Sequence, residues 1–230
     1  MYRNLIPFFR VLGGGANPLW DGLLAYWTAD NTTDDALGNY NGTLVNGATY
    51  GTGIINQGFS LDGVNDYVTM GNVLDFDGST PFSFSCWVYI NALGVDAIFG
   101  KSQQSPYNGY GLHIQTDSLY YFHLGGSSLL QVSSGPVILN SWHHIVITYN
   151  GNKTHSGFKM YINNVSKTPL NTYGSFTGSS SSSLPFEVGR QGNAWYFDGR
   201  VDEIGAWNRE LTSLEVTELY NSGAGKQYPL

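Results

Sequence analysis

The chain alternates short apolar runs with clusters of Gly, Asn, Asp and Ser from about residue 23 onwards. The clearest run is Phe82–Ile90, in which every second residue is apolar, with serines, a tryptophan and a tyrosine between them. A period of two predicts a strand with two chemically different faces. Turn-forming pairs such as Asn150-Gly151 separate further runs of this kind. The pattern is typical of an all-β sandwich.

One segment near the end of the chain has a helical signature instead. Thr212 and Glu215 have the spacing of a capping box, in which each side chain satisfies a free amide at a helix start. Val216 and Leu219 follow at helical spacing, and Gly223 is suited to end the helix. The sequence therefore predicts one short C-terminal helix that packs on the sandwich.

The first 15 residues differ from the rest. They combine an apolar segment with the glycine run Gly13–Gly15, which predicts a flexible hinge. We predict an arm and hinge over residues 1–21, and one domain over residues 22–230. The arm either contacts a protein partner through residues 1–15 or folds back on its own domain. Its apolar residues are Leu5, Ile6, Phe8, Phe9, Val11 and Leu12.

The apolar stretch of the arm is short and contains Pro7, so we expect no conventional signal peptide. No later segment approaches the length of a membrane span, and no membrane insertion is expected. The net charge is -7, with 10 Lys and Arg residues and no basic run, which argues against a nucleic acid partner. Cys86 is the only cysteine, which excludes an internal disulfide, and we predict that it is small apolar filling of the core.

Ordered segments across residues 22 to about 222 carry a resemblance to a known family. Together they resemble the laminin-G-like domains of the concanavalin A-like lectin and glucanase superfamily. The resemblance implies an all-β fold, a two-sheet antiparallel jelly-roll sandwich with the short C-terminal helix. The segments are Gly22–Trp27, Asp35–Asn39, Asn41–Leu44, Phe59–Val68, Phe82–Val88, Ser141–Val146, Met160–Val165, Phe197–Ile204, Trp207–Leu211 and Glu218–Tyr220.

Catalysis is not expected from this chain. Laminarinase-type enzymes on this fold carry Glu-x-Asp followed shortly by another Glu, and that arrangement is absent. Asp75 and Asp77 alternate, but they stand beside Gly78 in a predicted turn. His143 and His144 are adjacent on a predicted strand, so their rings point to opposite faces. We therefore predict that the protein is not an enzyme.

Related domains often hold one structural calcium ion between the N-terminal segment and the last strand. The resemblance places the matching oxygen ligands at Asp35 and Asn39 early in the chain and at Asp202 late, with Asp30 as a substitute. The alternative is that these residues only cap turns, because Asp and Asn are common turn formers.

Aromatic side chains in exposed loops are suited to stack on sugar rings, with polar neighbours that bind the hydroxyl groups. We predict a glycan-binding set at Tyr107, Asn108, Tyr110, Tyr173, Gln191, Asn193, Trp195 and Tyr196.

These observations favour a non-catalytic carbohydrate-binding or adhesion module, displayed on a larger assembly and binding cell-surface glycans or polysaccharides. The alternative is a structural decoration or fibre protein of a bacteriophage virion, anchored by its arm to a capsid or tail protein. In either case we expect the protein at an extracellular surface or a virion surface.

Overall fold

A computed structural model describes residues 17–104, 107–126 and 128–229, without the side chains of Gln104 and Tyr107. The predicted arm contact of residues 1–15 lies outside the described residues and stays a prediction. Residues 17–21, which the sequence assigned to the arm and hinge, are packed on the domain: Leu19 is fully buried.

The fold is nearly all β, with two antiparallel eight-stranded sheets. Sheet A has the strand order β13-β12-β11-β6-β16-β4-β3, and β1 also pairs with β16. The long strand β16 pairs with β4 along its first half and with β1 along its second half. The strands of sheet A are β1 (Leu23–Trp27), β3 (Thr49–Thr52), β4 (Gln57–Asp62), β6 (Phe82–Ile90), β11 (Trp142–Tyr149), β12 (Phe158–Ile162), β13 (Val165–Lys167) and β16 (Asp198–Trp207).

Sheet B has the order β14-β10-β9-β8-β7-β15-β5-β2. Consecutive strands β7 to β10 form a meander, because each pairs with the next along the chain. The strands of sheet B are β2 (Thr43–Val45), β5 (Tyr67–Thr69), β7 (Asp96–Gln104), β8 (Tyr107–Ile114), β9 (Tyr120–Gly125), β10 (Leu129–Ser134), β14 (Asn171–Gly174) and β15 (Glu187–Val188).

The main core lies between the two sheets and is rich in aromatic rings. In β6, the alternating apolar residues that predicted a strand belong to this core, as in the case of Phe84, whose ring stacks on that of Phe186 with centroids 5.9 Å apart. Cys86 is fully buried there, and burial raises the pKa of its thiol well above the usual value. The predicted two-faced strand and the predicted core position of Cys86 are confirmed.

A second apolar cluster covers the outer face of sheet A, the face turned away from the main core. Helix α1 (Ser213–Tyr220) supplies part of it and begins with the predicted capping box. The helix ends at Asn221, which adopts a left-handed backbone conformation and takes the capping role that the sequence assigned to Gly223. The buried members of the cluster are Leu19, Tyr26, Val146, Tyr161, Trp207, Leu211, Val216 and Leu219.

Three 3₁₀ turns complete the elements: Pro18–Trp20, His155–Gly157 and Asn221–Gly223. In the described part of the chain, no helix has the length and hydropathy needed to cross a membrane.

Candidate functional site

The outer face of sheet B carries a row of aligned residues that crosses every strand. Two neighbouring members of this row are glycines, Gly100 on β7 and Gly111 on β8. Because glycine has no side chain, the ring of His123 on β9 can lie against Gly111, where a Cβ atom would be only 3.0 Å from its Cε1 atom. In cross-strand order the row is Thr43, Thr69, Glu187, Gly100, Gly111, His123, Gln131 and Tyr173.

A pocket of about 170 Å³ opens beside Glu187, a member of this row. Ser102, Gln103 and Glu187 contribute to it from strands of the sheet, and the segments on both sides of β15 form the rest. The lining residues are Ser102, Gln103, Leu184, Pro185, Glu187, Arg190, Gly192 and Asn193.

A carboxylate and a guanidinium group are paired inside the pocket. Arg190 donates from Nε to Oε2 of Glu187 at 3.0 Å and from Nη2 to Oε1 at 2.5 Å. The guanidinium carbon also lies 3.6 Å from the ring centroid of Tyr67, a cation–π contact that holds it against the sheet. Burial raises the pKa of Glu187, and Arg190 partly offsets that rise by its hydrogen bonds and charge. The pair offers sugar hydroxyl groups both an acceptor and a donor in fixed positions.

Two buried histidines adjoin the pocket on the same face of the sheet. A hydrogen bond of 3.1 Å joins Nε2 of His123 to Oγ of Ser102, which lines the pocket. The ring of His113 stacks on Tyr121 and contacts Trp195, with centroids 5.4 Å and 5.2 Å apart. Burial lowers the pKa of His123 to about 4 and the pKa of His113 well below its usual value. Both imidazoles are therefore neutral near pH 7.

Two buried nitrogen atoms on this side of the sheet have no hydrogen-bond partner among the described residues. One is Nδ1 of His113, and the other is Nε2 of Gln191, a side chain that is only 2% exposed. Leaving a buried polar atom unsatisfied costs about 1–3 kcal/mol. Atoms of the same kind occur on sheet A, such as Nδ1 of His144, so these nitrogens do not by themselves distinguish the pocket from the rest of the molecule.

The predicted glycan-binding residues separate into two groups. Gln191, Asn193, Trp195 and Tyr196 belong to one segment, residues 190–196, that borders the pocket, and Asn193 lines it. Tyr173 is 65% exposed and stands at the far end of the aligned row.

The remaining predicted residues lie on β8, and one of them requires a correction. Tyr110 is not in an exposed loop: it is fully buried in the main core, where its hydroxyl donates to the carbonyl of Leu74 at 2.7 Å. Asn108 is two residues before it and is half-buried. Tyr107 begins the strand, but its side chain lies outside the described residues.

Sequence analysis missed the residues that hold the pocket together: Glu187, Arg190, Ser102 and the histidine pair. The available signal was weak, since Glu187 and Arg190 are three residues apart in a short apolar run. The pairing of β15 with β7, which brings Glu187 beside Gly100, joins segments 87 residues apart in the chain.

The predicted calcium ligands lie in two hydrogen-bonded clusters. Both oxygens of Asp35 accept backbone amides, including those of Tyr26 and Asn39 at 2.8 Å and 3.0 Å. Both oxygens of Asp202 likewise accept amide donors. Asp30 accepts from the amide of Gln57 at 3.0 Å. Among the described residues, no group of three or more His, Cys, Asp and Glu side chains is arranged to hold a metal ion.

Burial raises the pKa of Asp202 to about 8, and the nearby Asp30 adds to the rise against the effect of the amide donors. Asp30 and Asp202 are thus close enough to interact electrostatically, whereas Asp35 accepts hydrogen bonds from the backbone amides of its own turn. The oxygens of the three aspartates are already committed to amide donors, so the four predicted residues do not fit a calcium ion as one set, and calcium binding stays a prediction from the sequence.

The acidic and histidine pairs considered for catalysis have structural partners. Asp77 accepts from the amide of Ser79 at 2.8 Å in the expected turn, and Asp75 accepts from the amide of Ser182 at 3.0 Å. His143 faces the main core and bonds the hydroxyl of Tyr120, while His144 on the opposite face of β11 bonds Ser85.

Several solved structures share this fold. Domain 4 of AbnA, a GH43 extracellular arabinanase from Geobacillus stearothermophilus solved in complex with arabinotriose, superposes with a TM-score of 0.70 at 19% identity, over 89% of this chain and 98% of that chain. The binding domain of Paraclostridial Mosquitocidal Protein 1 gives a TM-score of 0.69 at 18% identity, over 89% of this chain and 53% of that chain. Trypanosoma rangeli sialidase in complex with sialic acid gives 0.63 at 16% identity, over 90% of this chain and 34% of that chain.

No curated protein matches the sequence. A family model does match, over residues 62–217, which is most of the domain. The matched range contains β5 to β16 and the pocket. The chain therefore belongs to the Laminin_G_3 family of the concanavalin A-like lectin/glucanases superfamily.

Proposed function

We propose that the protein is a non-catalytic carbohydrate-binding module, and that it holds its glycan at the pocket between β7, β15 and residues 190–196. The observation that carries the proposal is the fixed Glu187–Arg190 pair inside a pocket that is also lined by Asn193, two residues before Trp195 in the same segment. Sugar sites combine a few well-placed polar groups with an aromatic surface, because a sugar ring has polar edges and apolar faces.

The comparisons support this proposal in a general way. Domain 4 of the arabinanase was solved with a bound oligosaccharide, and the mosquitocidal structure is a binding domain by its description. The low sequence identity of both means that the shared feature is the fold, so the ligand and its position are proposed for this chain on its own geometry.

The pocket is suited to binding without hydrolysis. Glycosidases use two carboxyl groups on either side of the scissile bond. Of the described residues that line the pocket, only Glu187 carries a carboxyl group, and it is already engaged by Arg190. In this proposal the pair donates and accepts hydrogen bonds with sugar hydroxyl groups, and no bond is broken.

The test is a glycan array followed by calorimetric titration of the best ligand. Trp195→Ala should weaken binding about 10-fold or more, as removal of an aromatic contact costs about 1–3 kcal/mol. The matched control is Trp142→Ala, because Trp142 is also half-buried but lies on β11 of sheet A, where it contacts Tyr89. Equal losses from both variants, or a native protein that binds no glycan on the array, would contradict the proposal.

A further inference from the structure

The two charged side chains that line the pocket, Glu187 and Arg190, form an ion pair with each other. Of the described residues that line the pocket, Arg190 alone is cationic, and Glu187 neutralises it through two hydrogen bonds. Lys101 lies behind the wall of the pocket with its amino group bound to Asn72 and, at 2.7 Å, to the carbonyl of Leu184. Lys101 is fully buried, so its amino group is not available to a ligand in the pocket.

Other groups near the pocket do not supply a positive charge either. His113 and His123 are neutral at pH 7 because they are buried. The whole chain carries a net charge of -7. A ligand carboxylate would lose its hydration here without gaining a free cation.

Resting on the proposed function, we infer that the pocket selects uncharged glycans over acidic ones, and that Glu187 determines this selectivity by neutralising Arg190. An uncharged sugar gains hydrogen bonds from both members of the pair. A uronic acid or a sialic acid meets Glu187 as a like charge and Arg190 as a cation already paired.

The inference predicts a gain of binding from a single isosteric change. Glu187→Gln keeps the size of the side chain and an oxygen for Arg190, but it removes the negative charge. Arg190 then becomes available for a charge-assisted, bidentate bond with a ligand carboxylate. Affinity for an acidic glycan should rise about 10-fold, the equivalent of a single hydrogen bond to a charged group. A purely structural role of the pair would produce a loss and no such gain.

The experiment uses an array of oligosaccharides in matched pairs that differ only at C6: galactose against galacturonate, and glucose against glucuronate. The native protein should bind the neutral member of a pair at least about 10-fold more tightly. Glu187→Gln should narrow or reverse this preference, and added salt should weaken the new binding. The control is Glu210→Gln, which makes the same change of net charge but disrupts an ion pair with Lys159 on β12 of sheet A.

Each outcome is decisive. Tighter binding of the acidic member by the native protein overturns the selectivity but leaves the proposed function standing. Retained neutral binding without any acidic gain in Glu187→Gln overturns the role of Glu187. Binding of neither member by the native protein overturns the proposed function and the inference with it. If Glu187→Gln fails to fold, the preference of the native protein tests the selectivity, and Arg190→Gln tests the pair: its affinity for the neutral member should fall, and its affinity for the acidic member should not rise.

Discussion

The two sheets use their outer faces in opposite ways. Sheet A is covered by helix α1 and the turn Pro18–Trp20, and the apolar side chains between them form a second core. Sheet B keeps polar groups on its outer face, among them two histidines and the Glu187–Arg190 pair. Both sheets alternate apolar and other residues along their strands, so alternation alone does not distinguish a face that is covered from one that binds.

The two sheets differ in the residues at the outward-facing positions of their strands. On sheet A these positions hold large rings, such as Trp87, which stacks on Tyr220 with centroids 5.7 Å apart. Around the pocket on sheet B they hold glycine, histidine and serine, with hydrogen bonds such as the one between His123 and Ser102, and the rings of Tyr121 and Tyr173 lie farther along this face. A face of large rings requires a cover to bury its apolar area, whereas a face of small polar groups leaves room for a ligand.

The strongest test of this contrast removes a ring from sheet A. Trp207 is fully buried, stacks on Trp20, and donates from Nε1 to the carbonyl of Leu19 at 2.9 Å. Trp207→Ala should lower the free energy of unfolding by about 3–5 kcal/mol, the usual cost of truncating a buried large side chain. Denaturant unfolding measures the loss.

Trp195 on sheet B is the matched comparison for that experiment. It is only half-buried, so Trp195→Ala should lower the free energy of unfolding by much less than Trp207→Ala. Similar losses from the two variants would show that the outer face of sheet B is also a core, and the contrast between the sheets would fail.

The sequence predicted the fold more fully than the site, and particular residues show why. The alternation in Phe82–Ile90 and the capping box at Thr212 and Glu215 are local patterns, readable without knowing what packs on them. The prediction of Tyr110 as an exposed loop residue was wrong, because its local sequence does not show which face of a strand its ring would occupy. In the structure the glycines on either side of Tyr110 are part of β8, and Tyr110 faces the main core between them.

The site depends on register between distant strands, which composition and local spacing do not encode. Glu187 meets Gly100 only through the pairing of β15 with β7, and Ser102 meets His123 across β8. The cluster of aromatic and polar residues at 190–196 was visible in the sequence, but its polar partners on the sheet were not.

A second prediction compares one buried histidine from each outer face. Burial lowers the pKa of His144 on sheet A to about 3 and the pKa of His123 on sheet B to about 4. In the unfolded chain both pKa values are near 6.5. Above pH 6.5 each histidine is neutral in both the folded and the unfolded chain, so it does not reduce the free energy of unfolding. As the pH falls from 6.5 towards 4, only the unfolded chain gains protons, so each histidine removes about 3 kcal/mol of stability by pH 4.

Denaturant unfolding from pH 7 to pH 4 measures this effect. His123→Gln and His144→Gln should each reduce the pH dependence of stability relative to the native protein by about one proton. Comparing each variant with the native protein separates the histidines from carboxyl groups such as Asp202, whose raised pKa acts in the opposite direction. An unchanged pH dependence in either variant would show that its histidine is solvated or already protonated.

The smallest expected effect concerns the cover of sheet A. Thr212 caps α1: its hydroxyl oxygen accepts the amide of Glu215 at 3.3 Å, and the Glu215 carboxylate accepts the amide of Thr212 at 2.7 Å. Thr212→Ala removes one half of this capping box and should lower the free energy of unfolding by about 1 kcal/mol. Thr212→Ser keeps the oxygen and should restore most of that loss. Because α1 packs on sheet A and the pocket opens on sheet B, glycan affinity should be the same in both variants and the native protein. If Thr212→Ala weakened glycan binding as well, the two outer faces would be coupled through the main core, and the division between a structural face and a binding face would have to be abandoned.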